Sequence, residues 1–374
     1  MRYCKHSWMS ACVLLVVTLA GCLPVELSVS PEGNVLIPRQ EGFVVYKSAD
    51  GSVNVWNKPA DGQAAFALYA PDGKSALVFV QTSGGMGKSF TVMLLDADGK
   101  TKNIVTQSNT TYAQWSPDGK YATVTRVADQ KVAPLDQNMP ELILINVAEG
   151  TTKPLASNVA GMHRWMPDGR NVVIFQIEGK SQNTSQYTGK LMLLDVVSGE
   201  SKAVAGMVGE QGAFFDVSPD GKTAMVTALK VDAPDAKLPE KIETKSKLVS
   251  VNLESGQSKE IGEDVGFAIY SPKGTKVLIG AATEKEGAIA LSVSPADGSA
   301  MKQIAEDAAK QTGGGMGGQA TIYPTWLDDD TVLYLCKYAV YGPDGANLML
   351  TSIKADGTGK TILQSKIDSA LIGK

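Results

Sequence analysis

Apolar and β-branched residues in this chain gather into short runs rather than along the stripe of a 3.6-residue helical period. One set covers residues 74–80, 121–126, 172–176, 223–228, 276–280 and 332–336. Runs of this length, bounded by glycine, proline and small polar residues, predict strands, and their nearly continuous apolar character predicts burial on both faces. A second set lies later in each stretch: Val92-Met93-Leu94-Leu95, Leu142-Ile143-Leu144-Ile145, Leu191-Met192-Leu193-Leu194, Leu248-Val249-Ser250-Val251, Ala290-Leu291-Ser292-Val293 and Leu348-Met349-Leu350. Each of these leads into a small polar turn that carries a glycine, namely Gly99, Gly150, Gly199, Gly256, Gly298 and Gly357.

The first set begins after a turn motif that occurs six times: Ser30-Pro31-Glu32-Gly33, Ala70-Pro71-Asp72-Gly73, Ser116-Pro117-Asp118-Gly119, Met166-Pro167-Asp168-Gly169, Ser218-Pro219-Asp220-Gly221 and Ser271-Pro272-Lys273-Gly274. A degraded seventh copy reads Leu327-Asp328-Asp329-Asp330. Between equivalent prolines the spacing is 40, 46, 50, 52 and 53 residues, with 56 more to Asp328. Self-similarity in this range marks a repeat architecture. Proline presets φ near about −65°, aspartate folds back on the local backbone, and glycine accepts positive φ, so each copy is a hairpin tip. One period then holds a strand, this turn, a strand, a variable loop, a strand, a glycine turn and a last strand. The expected fold is all-β, a seven-bladed β-propeller of four-stranded antiparallel sheets. Six blades is the alternative, because the first copy, 25–34, is the shortest and could instead donate a strand that closes the ring.

An aromatic residue precedes five of the turns: Tyr69, Trp115, Trp165, Tyr270 and Trp326. Rings at one position in blade after blade are expected to pack between neighbouring blades; the competing use is a platform for sugars or stacked rings. This aromatic-Ser-Pro-Asp-Gly-Lys turn resembles that of the TolB-like propeller family, over about residues 25–364. The resemblance implies the propeller fold. It does not fix a function, since propellers of this type occur as periplasmic adaptors, as cell-surface binding modules and as gating domains of prolyl oligopeptidases. Lys273 in place of the usual Asp, and the loss of Pro and Gly around Asp328, depart from the family pattern.

Residues 1–21 read as a signal peptide: Arg2 and Lys5 are positive, 9–19 are apolar, and Leu19-Ala20-Gly21-Cys22 is a small-residue cleavage site. That tetrapeptide resembles the bacterial lipobox, which implies lipidation of Cys22 as the mature N-terminus and attachment to the lipid bilayer. Residues 22–24 are then a tether, 25–366 the propeller and 367–374 a C-terminal tail. A plain secretory signal with an incidental cysteine is the competing reading, and the apolar run is too short for a membrane-spanning helix. Leu23 after the cysteine, rather than Asp, favours by the same resemblance the outer membrane in a host that has one. Cys4 and Cys12 leave with the signal, so Cys336 has no disulfide partner in the processed chain and is expected to be a buried thiol.

The 374 residues carry a formal net charge of −4 and no basic cluster, so no nucleic-acid partner is expected. Beyond the signal the only histidine is His163, the one available base for Ser-His-Asp or Cys-His chemistry; its place beside Arg164-Trp165 suggests packing instead. The segment from Thr82 to Ser89 resembles a phosphate-binding loop but lacks the opening glycine and leads into a strand, so no nucleotide is expected. Residues 311–318 repeat the glycine-rich composition. Asp328-Asp329-Asp330 lacks the spaced oxygen ligands of a calcium loop. The sequence therefore leads to an expectation of no catalytic residue, no metal and no cofactor, and of a protein that is not an enzyme.

In a four-stranded meander the first-to-second and third-to-fourth turns share one face, here uniform. The other face is irregular, with loops at 81–89, 128–141, 178–190, 230–247, 283–287, 337–347 and 305–320. Recognition concentrates on such loops. The expected function is a lipid-anchored cell-envelope module that binds or scaffolds envelope proteins through this face, with Tyr187, Lys230, Lys237, Lys241, Tyr338 and Tyr341 as candidate contacts. Carbohydrate or peptidoglycan binding through Tyr112, Tyr187, Tyr338 and Tyr341 is the first alternative. A hydrolase or lyase with paired carboxylates in the central channel is the second.

Overall fold

A computed structural model of the protein describes residues 28–39, 42–47, 51, 53–57, 63–82, 89–96, 100–127, 140–180, 186–210, 214–236, 245–283, 288–308, 320–338 and 347–364. Strands organise these residues into seven consecutive blades, and no helix occurs among them. Blade 1 is Ser28–Val29, Val35–Arg39, Gly42–Tyr46 and Val53–Asn57; blade 2 begins Gln63–Tyr69, Ala76–Thr82 and Ser89–Leu95. Blade 3 ends with Tyr121–Val127, Glu141–Asn146 and Thr151–Ala156, and blade 4 is Val159–Trp165, Asn171–Lys180, Gln186–Asp195 and Ser201–Glu210. Blade 5 is Phe215–Val217, Thr223–Ala228, Lys247–Asn252 and Ser258–Glu263; blade 6 is Val265–Tyr270, Lys276–Ala282, Ala288–Pro295 and Lys302–Ala308. Blade 7 is Ala320–Asp328, Thr331–Tyr338, Asn347–Lys354 and Thr361–Gln364.

The short first copy forms a blade of its own, with Ser28 opposite Leu36 and Val29 opposite Val35, so the ring has seven blades and not six. No sheet combines strands from the two ends of the described chain. One strand, Thr101–Trp115, is continuous where a loop between blades was expected. Its first half pairs with blade 2, Thr101 opposite Leu95, and its second half opens blade 3, Trp115 opposite Ala122. A further departure is Lys230–Asp232 from the long insertion of blade 5, which pairs as a fifth strand on the outer edge of blade 4, Val231 opposite Met207.

The repeated turns have a common geometry. The glycine N–H closes each on the residue three before it, as in Gly33 to Ser30, Gly119 to Ser116, Gly221 to Ser218 and Gly274 to Ser271, at 2.8–2.9 Å. These glycines have φ between 69° and 82°, the left-handed region that other residues rarely enter. The aspartate carboxylate accepts the N–H two residues on, from Lys120 at 3.1 Å and from Lys222 at 3.0 Å. In blade 6, where Lys273 stands in place of Asp, Asp329 of blade 7 reaches across and takes the Lys273 N–H at 2.9 Å. Asp330 meanwhile holds Lys276 Nζ at 2.6 Å. The acidic triplet is thus engaged in a joint between blades, more than the solvated turn its sequence suggests.

Neighbouring blades meet through three recurring contacts. The aromatic residue before the turn reaches the preceding blade: Trp115 Nε1 donates to Leu68 O at 3.0 Å, Trp165 Nε1 to Thr123 Oγ1 at 2.8 Å and Trp326 Nε1 to Ile269 O at 3.1 Å, while Tyr270 and Thr223 hydroxyls share a bond of 2.9 Å. One residue earlier, a polar side chain accepts the next blade's main-chain N–H: Ser28 from Tyr69 at 2.6 Å, Gln114 from Trp165 at 3.0 Å and Asp216 from Tyr270 at 2.9 Å. At the outer rim, a lysine opening the fourth strand donates to a carbonyl in the next blade's glycine turn. These pairs are Lys102 to Ala148 (3.5 Å), Lys153 to Val197 (3.4 Å), Lys202 to Glu254 (3.2 Å), Lys259 to Asp297 (3.2 Å) and Lys302 to Asp356 (2.7 Å). The aromatic rings are therefore joints, as expected. Trp326→Phe, which removes the N–H and strands the Ile269 carbonyl, is expected to lower the unfolding free energy by about 1–3 kcal/mol. Urea denaturation measures this, and an unchanged midpoint would show that the indole bond contributes nothing to the joint.

Candidate functional site

The turn face is chemically occupied. The Asp220 carboxyl lies below the usual aspartate range because it accepts from Ser218 Oγ and then from the Lys222 N–H. An open depression on this face is lined by Asn171, Leu193, Asp195, Glu200, Ser201 and Lys202. Its carboxylate, Asp195, accepts from the Ser198 and Val197 N–H groups at 3.0 and 2.8 Å and from Arg170 Nε at 2.6 Å, and these bonds hold its pKa low. Such a carboxylate orders a turn.

Of the candidate contact residues, Tyr187, Lys230 and Tyr338 are among the described residues. Tyr187 is 6% exposed and Tyr112 5%, and both rings belong to the core of blades 3–5, which removes two of the four tyrosines on which the carbohydrate alternative was built. Lys230 lies in the added strand with its Nζ 3.1 Å from Asp232. Tyr338 ends the second strand of blade 7, opposite Ala320 and Asn347. Lys237, Lys241 and Tyr341 lie outside the described residues, as do Cys22, the signal segment, both glycine-rich loops and the C-terminal tail.

The first strands of successive blades touch one another and so line the axis, and there a polar cluster stands out that the sequence did not single out as a unit. Arg164 Nε donates to Asp216 Oδ1 at 3.0 Å, and both side chains are largely buried. The guanidinium carbon lies 5.5 Å from the ring centroids of both Tyr112 in blade 3 and Phe214 in blade 5, so one cation joins three blades through two aromatic faces and a carboxylate. Phe214 continues to Phe267 of blade 6 at 5.9 Å. The available signal was positional: Gln114, Arg164 and Asp216 all stand two residues before the turn's first residue.

His163 packs edge-on to Tyr112, with centroids 5.0 Å apart, and is fully buried. Its Nε2 lies 2.7 Å from Thr123 Oγ1, which already accepts from Trp165 Nε1. The Thr123 hydroxyl has both His163 Nε2 and, at 3.5 Å, the Gln114 carbonyl as acceptors, and which group donates in the Nε2–Oγ1 bond follows the imidazole tautomer. Among the described residues Nδ1 and the Tyr112 hydroxyl find no hydrogen-bond partner, so these contacts do not satisfy the histidine fully. Burial pushes the imidazole pKa down to about 3, leaving it neutral. The cluster holds the Arg164 cation between a carboxylate and two rings, and this histidine does not gain a proton near neutral pH.

The sequence matches no protein-family model and no characterised protein. Solved structures do match it in fold. A prolyl endopeptidase superposes with a TM-score of 0.61 at 13% identity over 98% of this chain and 52% of its own, so this chain spans about half that enzyme's length. An oligogalacturonate lyase in complex with manganese gives 0.60 at 11% identity, over 93% of this chain and 89% of its own. TolB from Acinetobacter baumannii gives 0.48 at 13% identity, over 90% of this chain and 79% of its own. At such identities the first two establish the propeller fold and nothing finer.

These neighbours overturn one expectation. The sequence was read as that of a non-enzyme, yet comparable folds belong to a lyase and to an endopeptidase. The fold supplies no ground for excluding catalysis, and the scarcity of histidine is not a substitute for one.

The His163 site has a pH signature. In the unfolded chain the imidazole takes a proton below its ordinary 6.5, whereas the folded protein refuses it until about 3. Stability from this residue is therefore complete above 6.5 and falls by about 1.4 kcal/mol per unit as pH drops through that window. His163→Gln is expected to flatten the loss between pH 6.5 and 5 in urea denaturation; an unchanged slope would mean that the imidazole protonates within the fold.

Proposed function

We propose that this protein is a lipid-anchored envelope propeller that binds a protein partner through the face opposite its Pro-Asp-Gly turns. The observation that carries the reading is how the long insertion of blade 5 is rooted. On one side its Lys230–Asp232 strand is paired to blade 4. On the other, Ser246 Oγ donates to Val265 O at 3.1 Å and the Asp264 N–H donates to Ser246 O at 2.8 Å, tying the return to the start of blade 6. Anchoring both ends of an insertion across three blades gives it the rigid base that recognition loops use. The opposite face spends its carboxylates and lysines on contacts within and between blades. Lipid attachment rests on Leu19-Ala20-Gly21-Cys22, which supplies the acylation site.

The boundaries of a test deletion follow from the pairing. Removing 232–245 would strip a strand residue from the edge of blade 4, so the deletion should span 237–244 only. In affinity purification from detergent-solubilised envelopes, the intact lipoprotein is expected to retain a stoichiometric protein that the deleted form loses, with an unchanged thermal midpoint. Absence of any stoichiometric protein with the intact form, or its full retention by the deleted one, would contradict this function.

A further inference from the structure

The outermost strand of a blade is an open edge, a row of N–H and C=O groups that can pair with another chain. Blades 3, 5 and 6 blunt theirs with charge or proline. Thr151–Ala156 carries Lys153 and Pro154, Ser258–Glu263 carries Lys259, Glu260 and Glu263, and Lys302–Ala308 carries Lys302, Glu306 and Asp307. The fourth strand of blade 4, Ser201–Glu210, runs without a charge from Ala203 to Gly209. It is ten residues long, against six for its counterparts in blades 3 and 5.

A strap from the insertion of blade 5 takes over this edge. Lys230–Asp232 pairs with Gly206–Val208, and the Leu229 N–H donates to Val208 O at 2.8 Å. Val231 packs against the core of blades 3–5, while Lys230 and Asp232 to either side of it pair at 3.1 Å. A three-residue edge with a charge at each end thus replaces a longer uncharged one. Past Asp232 the chain folds back, with the Ala236 N–H donating to Ala233 O at 3.0 Å, and this turn rests on Gly206. A Cβ on Gly206 would lie 2.8 Å from Ala233 O, and the three atoms nearest to it all belong to the strap. Gly206 is not among the glycines with positive φ, so its own backbone accepts other residues and its bareness serves the strap.

We propose that the outer edge of blade 4 is a self-association surface of this chain and that the strap keeps it closed. Uncovered, the edge around Gly206–Val208 presents main-chain groups that need partners, within a stretch that carries no charge. Two copies can then pair edge to edge, antiparallel about a twofold axis, without setting like charges opposite each other. The insertion therefore has a second role at its root, independent of which partner the loop face takes.

Two variants of the full chain, compared with the parent in the same detergent, test this. Gly206→Val suits a strand and pushes the turn away, whereas replacing 230–236 by glycine and serine removes the strap without altering blade 4. Trypsin is expected to cut after Lys230 about tenfold faster in Gly206→Val than in the parent. Each variant is expected to sediment at twice the parent's protein mass at micromolar concentration. A peptide of residues 229–236, added in excess to the replaced form, is expected to restore the parent's mass by filling the edge. Unchanged cleavage in Gly206→Val, the parent's mass for either folded variant, or a doubled mass that the peptide leaves intact would overturn the proposal. So would loss of the folded state in both variants, which would make the strap part of the core and not a cover.

Discussion

The contact on which the rest of this structure depends is the joint between one blade and the next. A blade's second strand is apolar on both faces: Ala76, Leu77, Val78, Phe79 and Val80 are all essentially inaccessible to solvent. No isolated four-stranded sheet covers such a strand, so each blade completes its neighbours' cores. The apolar term drives this assembly without direction. Direction comes from the hydrogen bonds laid over it, with the indole of one blade on a carbonyl of the last, a side-chain oxygen on the next blade's N–H, and a lysine across the outer rim. Because all three recur at fixed offsets from the same turn, they set the register of one blade against another.

That arrangement divides the molecule into two unlike faces. The Pro-Asp-Gly turns and glycine turns use their aspartates and lysines to hold themselves and each other, which leaves the insertions of the opposite face free to vary. The axis belongs to neither face. There Arg164, paired with Asp216 and lying near both Tyr112 and Phe214, concentrates buried charge where three blades meet. Breaking one partner of a buried pair costs far more than the pair contributes, so the cluster ties blades 3, 4 and 5 to a single arrangement.

Much of the fold was legible in the sequence because its determinants are local. Pro-Asp-Gly makes a turn wherever it stands, and repetition of a turn at 40–53 residues makes a propeller. Features that depend on a partner elsewhere were not legible. Lys102 and its counterparts are visible as lysines after a glycine, but their carbonyls lie 38 to 54 residues away. Thr101–Trp115 contains no glycine or proline, so no strong breaker marks where blade 2 ends and blade 3 begins. Tyr187 and Tyr112 sit near irregular loops in sequence but face the core, since alternation along a strand is fixed by register and not by distance from a loop. The candidate site suffered most, because Lys237, Lys241 and Tyr341 lie outside the described residues and the axial cluster is assembled from three blades.

The claim that joints between blades hold this propeller together is tested most directly by hydrogen exchange resolved by peptide mass spectrometry under native conditions. Second strands of blades 3 to 6, buried against a neighbour on both faces, should exchange last, and the outermost strands of the same blades first. Equal protection of second and outermost strands would contradict the account.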